Sequence, residues 1–215
     1  MDVVDPYEEL KKQTAEAEAR FASEAEGARM TVLRDEGMYR HLHFDFPRAS
    51  WKWCEVLTWP GSLILNGGLG SWLFLATGED LIEMLRPSAS SERVDPLYWE
   101  GKLAPGSGTA RAYSPDRAAA YIRETAGGLA SDFPGLAQDV DTDLLDGRPA
   151  TDLSTEGGLR AALAAFEELH GCTYEGLHFP VQSWDLERFA PWFLLSCVVL
   201  PWAVEQYDAQ LTPVG

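Results

Sequence analysis

From position 28 to 75 the apolar residues recur at every second position, in short runs separated by turn residues. This period of two predicts five strands, over 29–34, 38–45, 51–58, 62–66 and 70–75. Asp35-Glu36-Gly37 and Pro47-Arg48-Ala49-Ser50 break the first three runs apart. Pro60-Gly61 after Trp59 fits a type II turn, and Asn66-Gly67 predicts a tight hairpin, since both residues tolerate positive φ. Consecutive short strands joined by turns make an antiparallel meander with one buried and one wet face.

Outside this stretch the period lengthens. Tyr7, Leu10, Thr14, Ala17 and Phe21 form a narrow seam on a charged helix over 5–27. Thr77, with acids behind it, is the expected cap of a helix carrying Leu81, Ile82 and Leu85. Residues 88–94 read as a loop, Pro96–Leu103 as a short helix, and Pro105–Thr109 as loop again. Ser114-Pro115 starts a helix that Gly127-Gly128 stops. The acidic stretch 132–152 is expected to be irregular. Leu159, Leu163, Phe166 and His170 share one face of a helix over 155–170. A final helix over 186–209 should be kinked or interrupted by Pro191 and Pro201. The predicted fold class is therefore α+β in a single domain over 1–215: an acidic N-terminal helix (1–27), a five-stranded antiparallel β-meander (28–75), and a helical part (76–215) packed on the sheet. With 215 residues the chain needs neither metal nor disulfide to fold.

Charge narrows the function classes. The net charge is −17. Met1–Ala28 holds eight acids and three bases, and Asp132–Glu156 seven acids and one base. A nucleic-acid binder needs a basic stripe and an anionic membrane needs a basic partner, so neither is expected. A host protein with a basic surface is the partner such a chain permits, and solubility alone is the plainer reading. The run Phe189–Val204 has no charge, but it is short for a spanning helix and holds two prolines, so it reads as a buried helix. Cys54, Cys172 and Cys197 are odd in number with no CxxC pair, which predicts free thiols in a reducing compartment. The N-terminus is acidic and polar, unlike a secretory leader, and a cytoplasmic location follows as the expectation. The narrow seam of the first helix leaves room for a homodimer.

Candidate chemistry is sparse. Gly67, Gly68 and Gly70 precede a strand rather than a helix, with no lysine near, so they read as a hairpin and not a phosphate loop. Asp139, Asp141, Asp143 and Asp146 resemble a calcium loop, but Leu144 and Ala150 stand where its glycine and glutamate belong. His41, His43 and Asp45 share one strand face, yet a closed metal site needs further ligands. No nucleophile elbow or HExxH is present, so no catalytic residue, metal or cofactor is assigned. Tyr98, Trp99 and Trp184 are the aromatics that period explains least, with core packing as their default role.

Several blocks of the chain carry a resemblance. They are Tyr39-Arg40-His41-Leu42, Leu57-Thr58-Trp59-Pro60-Gly61, the glycine turn leading to Ser71 and Phe74, Tyr98-Trp99-Glu100-Gly101-Lys102-Leu103, and Trp202 with Glu205-Gln206-Tyr207-Asp208. Together they resemble a family of phage and prophage proteins with no established activity. That family carries a histidine and an acidic residue near the hairpin after its Trp-Pro-Gly turn. Here those places hold Ser62 and Asn66–Leu69, so no catalytic role transfers.

Two readings follow. The first is a phage-type accessory protein that inhibits or sequesters a host factor, such as an antiviral defence component, through its acidic surface. The second is a small-molecule protein or enzyme with a pocket between sheet and helices, lined by Arg40, His41, Trp59, Tyr98, Trp99 and Lys102. There the scarce cations would meet a small anionic, nucleotide-like ligand.

Overall fold

The computed structural model describes residues 6–86, 95–146 and 152–211. The loop expected at 88–94 lies outside them. The chain divides into two compact units, one formed by 1–110 with 189–215 and the other by 111–188.

The first unit opens with α1 (Pro6–Glu24). Five strands follow: β1 (Arg29–Glu36), β2 (Tyr39–Asp45), β3 (Trp53–Trp59), β4 (Ser62–Gly67) and β5 (Gly70–Leu75). They pair in sequence order, antiparallel throughout. The predicted alternation sets the faces. Leu42, Phe44, Cys54, Val56, Leu63, Leu65, Trp72 and Phe74 all point to one side and are buried. The meander survives because every intervening turn is local. Pro60-Gly61 forms a two-residue turn, with Trp59 opposite Ser62 and Gly61 at φ 73°. A side chain on Gly61 would meet the Ala76 carbonyl oxygen at 2.6 Å.

The second hairpin differs from expectation. Its central residues are Gly68-Leu69, and Gly67 pairs with Gly70. Asn-Gly supplies the local turn chemistry, but Leu69 is only 2% exposed, and its burial carries the turn two residues further on.

The buried face is covered by α7 (Pro191–Leu211). Nine consecutive residues, Phe193–Pro201, are buried, as befits a helix that is apolar all round. Trp202 meets Phe44, Phe46 and Phe21 at ring distances of 5.5, 5.4 and 5.3 Å, joining sheet, α7 and α1. The helix begins after its expected start and runs on through Pro201. Its buried setting supplies the packing that a proline otherwise costs. No helix among the described residues is long and apolar enough to cross a membrane. Two short helices complete the unit, α2 (Leu81–Leu85) and α3 (Pro96–Glu100). Asp80 caps α2, not Thr77: its carboxylate accepts from the Ile82 amide. Residues 102–104 continue the sheet beyond β5, where the Leu75 amide donates to the Lys102 carbonyl at 2.8 Å.

The second unit has a core of its own. Its ends pair as β6 (Arg111–Tyr113) and β7 (Glu187–Phe189), two short strands that the sequence pattern did not announce. Between them lie α4 (Pro115–Gly128), α5 (Leu136–Asp139), a π-helical turn (Val140–Leu145) and α6 (Glu156–His170). Ser114 caps α4 and Pro115 opens it, as its sequence predicts. The acidic stretch is thus largely helical up to Leu145. Leu136, Val140 and Leu144 are buried among Ala118, Ile122, Leu159, Leu163 and Phe166. That burial organises a segment whose charge suggested an irregular loop.

Candidate functional site

Neighbouring residues of a strand face opposite ways, and this separates the candidate ligand residues. Arg40 lies on the α7 side of the sheet, with its side chain 10% exposed. Its Nη1 is 2.9 Å from Asp80, and its Nε donates to the Tyr207 hydroxyl at 3.3 Å. That hydroxyl donates to Asp35 at 2.9 Å. Burial pulls the Arg40 pKa down, but the bonds to Tyr207 and Asp80 outweigh it and raise the pKa. The guanidinium therefore closes a network within the fold. Beside it, Arg86 bonds both oxygens of Asp208, at 2.9 and 2.8 Å, tying α2 to α7.

His41 and Trp59 occupy the other face. There His41 lies opposite Leu57, and His43 lies opposite Glu55. Glu55 Oε1 stands 3.4 Å from His41 Nε2 and 3.3 Å from His43 Nδ1. The His41 Nε2 atom is buried and makes no hydrogen bond. His43 Nε2 approaches Asp45 at 3.4 Å, and its ring stacks on Trp53. A row of Leu57, Ile64 and Leu73 continues the face across β3, β4 and β5. No three His, Cys, Asp or Glu side chains among the described residues form a group that could hold a metal ion.

Trp99 and Tyr98 separate in the same way. Trp99 is 5% exposed and packs edge-on against Phe74. Tyr98 is exposed, and the Lys102 ammonium lies over its ring at 5.2 Å. The six candidates thus fall into three places: Arg40 in a buried network, His41 with Trp59 on the far sheet face, and Tyr98 with Lys102 beside the β5 edge, where Trp99 belongs to the core.

Sequence reasoning missed the partners. Glu55 was within reach, because the register opposite His43 follows from the meander. Asp80 and Tyr207 were not, since they join Arg40 only through tertiary packing. The same holds in the second unit. His170 Nε2 lies 3.1 Å from Asp143, and its Nδ1 lies 3.6 Å from Asp139. Its ring packs against Phe166 and stacks on Tyr174, at 4.4 and 5.8 Å. The Tyr174 hydroxyl donates to Asp139 at 2.7 Å. That bond, with burial and the Asp139 charge, pushes the Tyr174 pKa up to about 12. Trp184 stacks on Tyr121 with the two rings 8° from parallel.

All three cysteines are free, with Cys54 and Cys197 buried and Cys172 exposed. Burial pushes the pKa of both buried thiols well above its ordinary value, so neither is a ready nucleophile. No family model, curated protein or solved structure matches this chain.

Proposed function

We propose that this chain is a binding protein that occupies a basic surface on a partner protein through the acidic surface of its second unit. One observation carries the reading. Among the described residues of 111–188, eleven acidic residues are exposed, against two exposed arginines, Arg123 and Arg160. Both are already paired, Arg123 with Asp141 at 3.1 Å and Arg160 with Glu156 at 2.7 Å. Such a field steers a basic partner and repels nucleic acid and anionic lipid. The phage resemblance makes a host factor the partner class, a defence component among them, met in the host cytoplasm. The pocket reading has less behind it, because Arg40 is engaged by Asp80 and Lys102 lies over Tyr98.

The test is affinity capture from host lysate, with recovered proteins identified and their binding remeasured from purified components. Glu124 on α4 and Glu168 on α6 are both exposed. The double variant Glu124→Lys, Glu168→Lys should weaken a genuine partner about tenfold or more and flatten its salt dependence. Unchanged affinity in that variant, or capture insensitive to salt, overturns the reading.

A further inference from the structure

We propose that β1 is a dimer interface, on which a second copy of this chain adds its own β1 antiparallel about a two-fold axis. The sheet treats its two edges differently. Residues 102–104 cover the β5 edge, where the Leu75 amide donates to the Lys102 carbonyl and the Ala104 amide to the Leu73 carbonyl, each at 2.8 Å. β1 is the opposite edge, and among the described residues its neighbour in the sheet is β2 alone. Six of its eight residues are exposed, Leu33 by 54%. A bare edge of this length is a template for another strand.

The residues of β1 select the strand that fits it. Val32 pairs with Leu42 and Arg34 with His41, so Leu33 is the extra residue of a bulge. In an unbroken strand Arg29 and Glu36 would point to opposite faces. The bulge shifts the alternation by one. Arg29, Thr31, Arg34 and Glu36 therefore stand on the outer face, opposite Asp45, His43, His41 and Tyr39. Met30, Val32 and Asp35 stand on the α7 side, opposite Phe44, Leu42 and Arg40. A second β1, laid antiparallel with its Glu36 opposite Arg29, then matches outer residues with outer and inner with inner. Thr31 meets Arg34, and Met30 meets Asp35. A slip of one residue loses this match. The axis passes beside the Val32–Leu33 peptide, so each exposed Leu33 packs against Val32 of the second copy. Charges normally guard an edge, because an added strand brings like against like. Here the antiparallel copy brings Arg29 to Glu36 at both ends of the ladder. Glu36 faces Arg34 of its own strand at 2.6 Å, and its carboxylate has further acceptor sites for a second cation. With two bases and two acids, β1 is also a neutral stretch of a chain whose net charge of −17 repels its copies elsewhere. The interface belongs to the first unit and stands whether or not the acidic surface of the second has a partner.

The experiment is sedimentation velocity on the full chain across a concentration series at physiological salt, which screens the general repulsion. The native chain should dimerise, and the amides of 29–36 should gain protection from hydrogen exchange as the dimer forms. Arg29→Glu sets like charges opposite each other at both ends of the ladder and should weaken the dimer about tenfold or more, as should Glu36→Arg. Both substituted positions are exposed, so circular dichroism of each variant should stay native. Mixing the two variants puts opposite charges back at both ends, and a one-to-one heterodimer should form with near-native affinity. A native chain that stays monomeric across the series overturns the proposal, even if its edge takes up a strand of another protein. So does a dimer in which the 29–36 amides exchange as they do in the monomer, and neither result needs a variant. A dimer that Arg29→Glu leaves unchanged, or folded variants that form no heterodimer, overturns it as well.

Discussion

Replacing Asp80 with alanine is expected to destabilise the first unit by about 2–3 kcal/mol, below the ~3–5 kcal/mol for breaking a fully buried ion pair, because Arg40 is left with other partners. Asp80 and Arg40 side chains are 11% and 10% exposed, so neither charge has much water to fall back on. Without Asp80 the Arg40 guanidinium keeps the Tyr207 hydroxyl and an Asp35 oxygen at 4.0 Å. The substitution also removes the cap of α2, a loss of about 1 kcal/mol. Against a total stability of about 5–15 kcal/mol, this is a large part. Seven of the eight tryptophans lie in the first unit and only Trp184 in the second, so urea unfolding followed by tryptophan fluorescence reports on the unit concerned. Asp80→Asn should cost less, because asparagine caps a helix as well as aspartate does. Arg40→Met combined with Asp80→Ala should recover much of the loss, since no unpaired charge is left behind. If Asp80→Ala unfolds at the native midpoint, Arg40 is not held as described and becomes available to a ligand.

The meander was legible because its information is local. Alternation gives the strands, and Pro60-Gly61 gives a turn whose geometry needs nothing distant. The second hairpin shows where local chemistry loses. Asn66-Gly67 is the better turn dipeptide, yet the core claims Leu69, and register follows the buried side chain. In the acidic stretch the signal was present but outvoted. Leu136, Val140 and Leu144 recur every four residues, wider than the 3.6 of an α-helix, and a π turn accommodates that spacing on one face. Net charge described the solvent side of this segment and hid its apolar side. The strands β6 and β7 have three residues each and are far apart in sequence, too little for any period to announce.

The candidate site was less legible, and for two distinct reasons. The first lay in the sequence itself: Arg40 and His41 are adjacent in a strand, so a period of two already put them on opposite faces. Placing both in one pocket set the rarity of cations above strand geometry. The second lay beyond any local reading. Arg40 meets Asp80 and Tyr207, and His170 meets Asp139 and Asp143, through contacts that only the folded chain creates.

Gly68→Ala is the second large effect expected, at about 3 kcal/mol, the upper part of the usual range for overpacking. A Cβ on Gly68 would stand 2.0 Å from the Trp51 carbonyl oxygen and 2.7 Å from its carbon. These are backbone atoms, so relief requires moving the chain and not a rotamer. Trp51 is poorly placed to move. Its ring lies 4.1 Å from that of Phe46, and its Nε1 donates to Glu24 of α1 at 2.6 Å. The damage should therefore reach α1 docking as well as the hairpin. Gly127→Ala is the matched control, because no heavy atom lies within 4 Å of its added Cβ and the position is within α4. There alanine should raise stability of the second unit by up to about 1 kcal/mol through helix propensity alone. Calorimetry on both variants separates the cases. A loss at position 68 with a gain at 127 is the signature of a glycine that exists for close backbone packing. Native stability at 68 would show that the Trp51 backbone can yield and would overturn the close-packing account of this glycine.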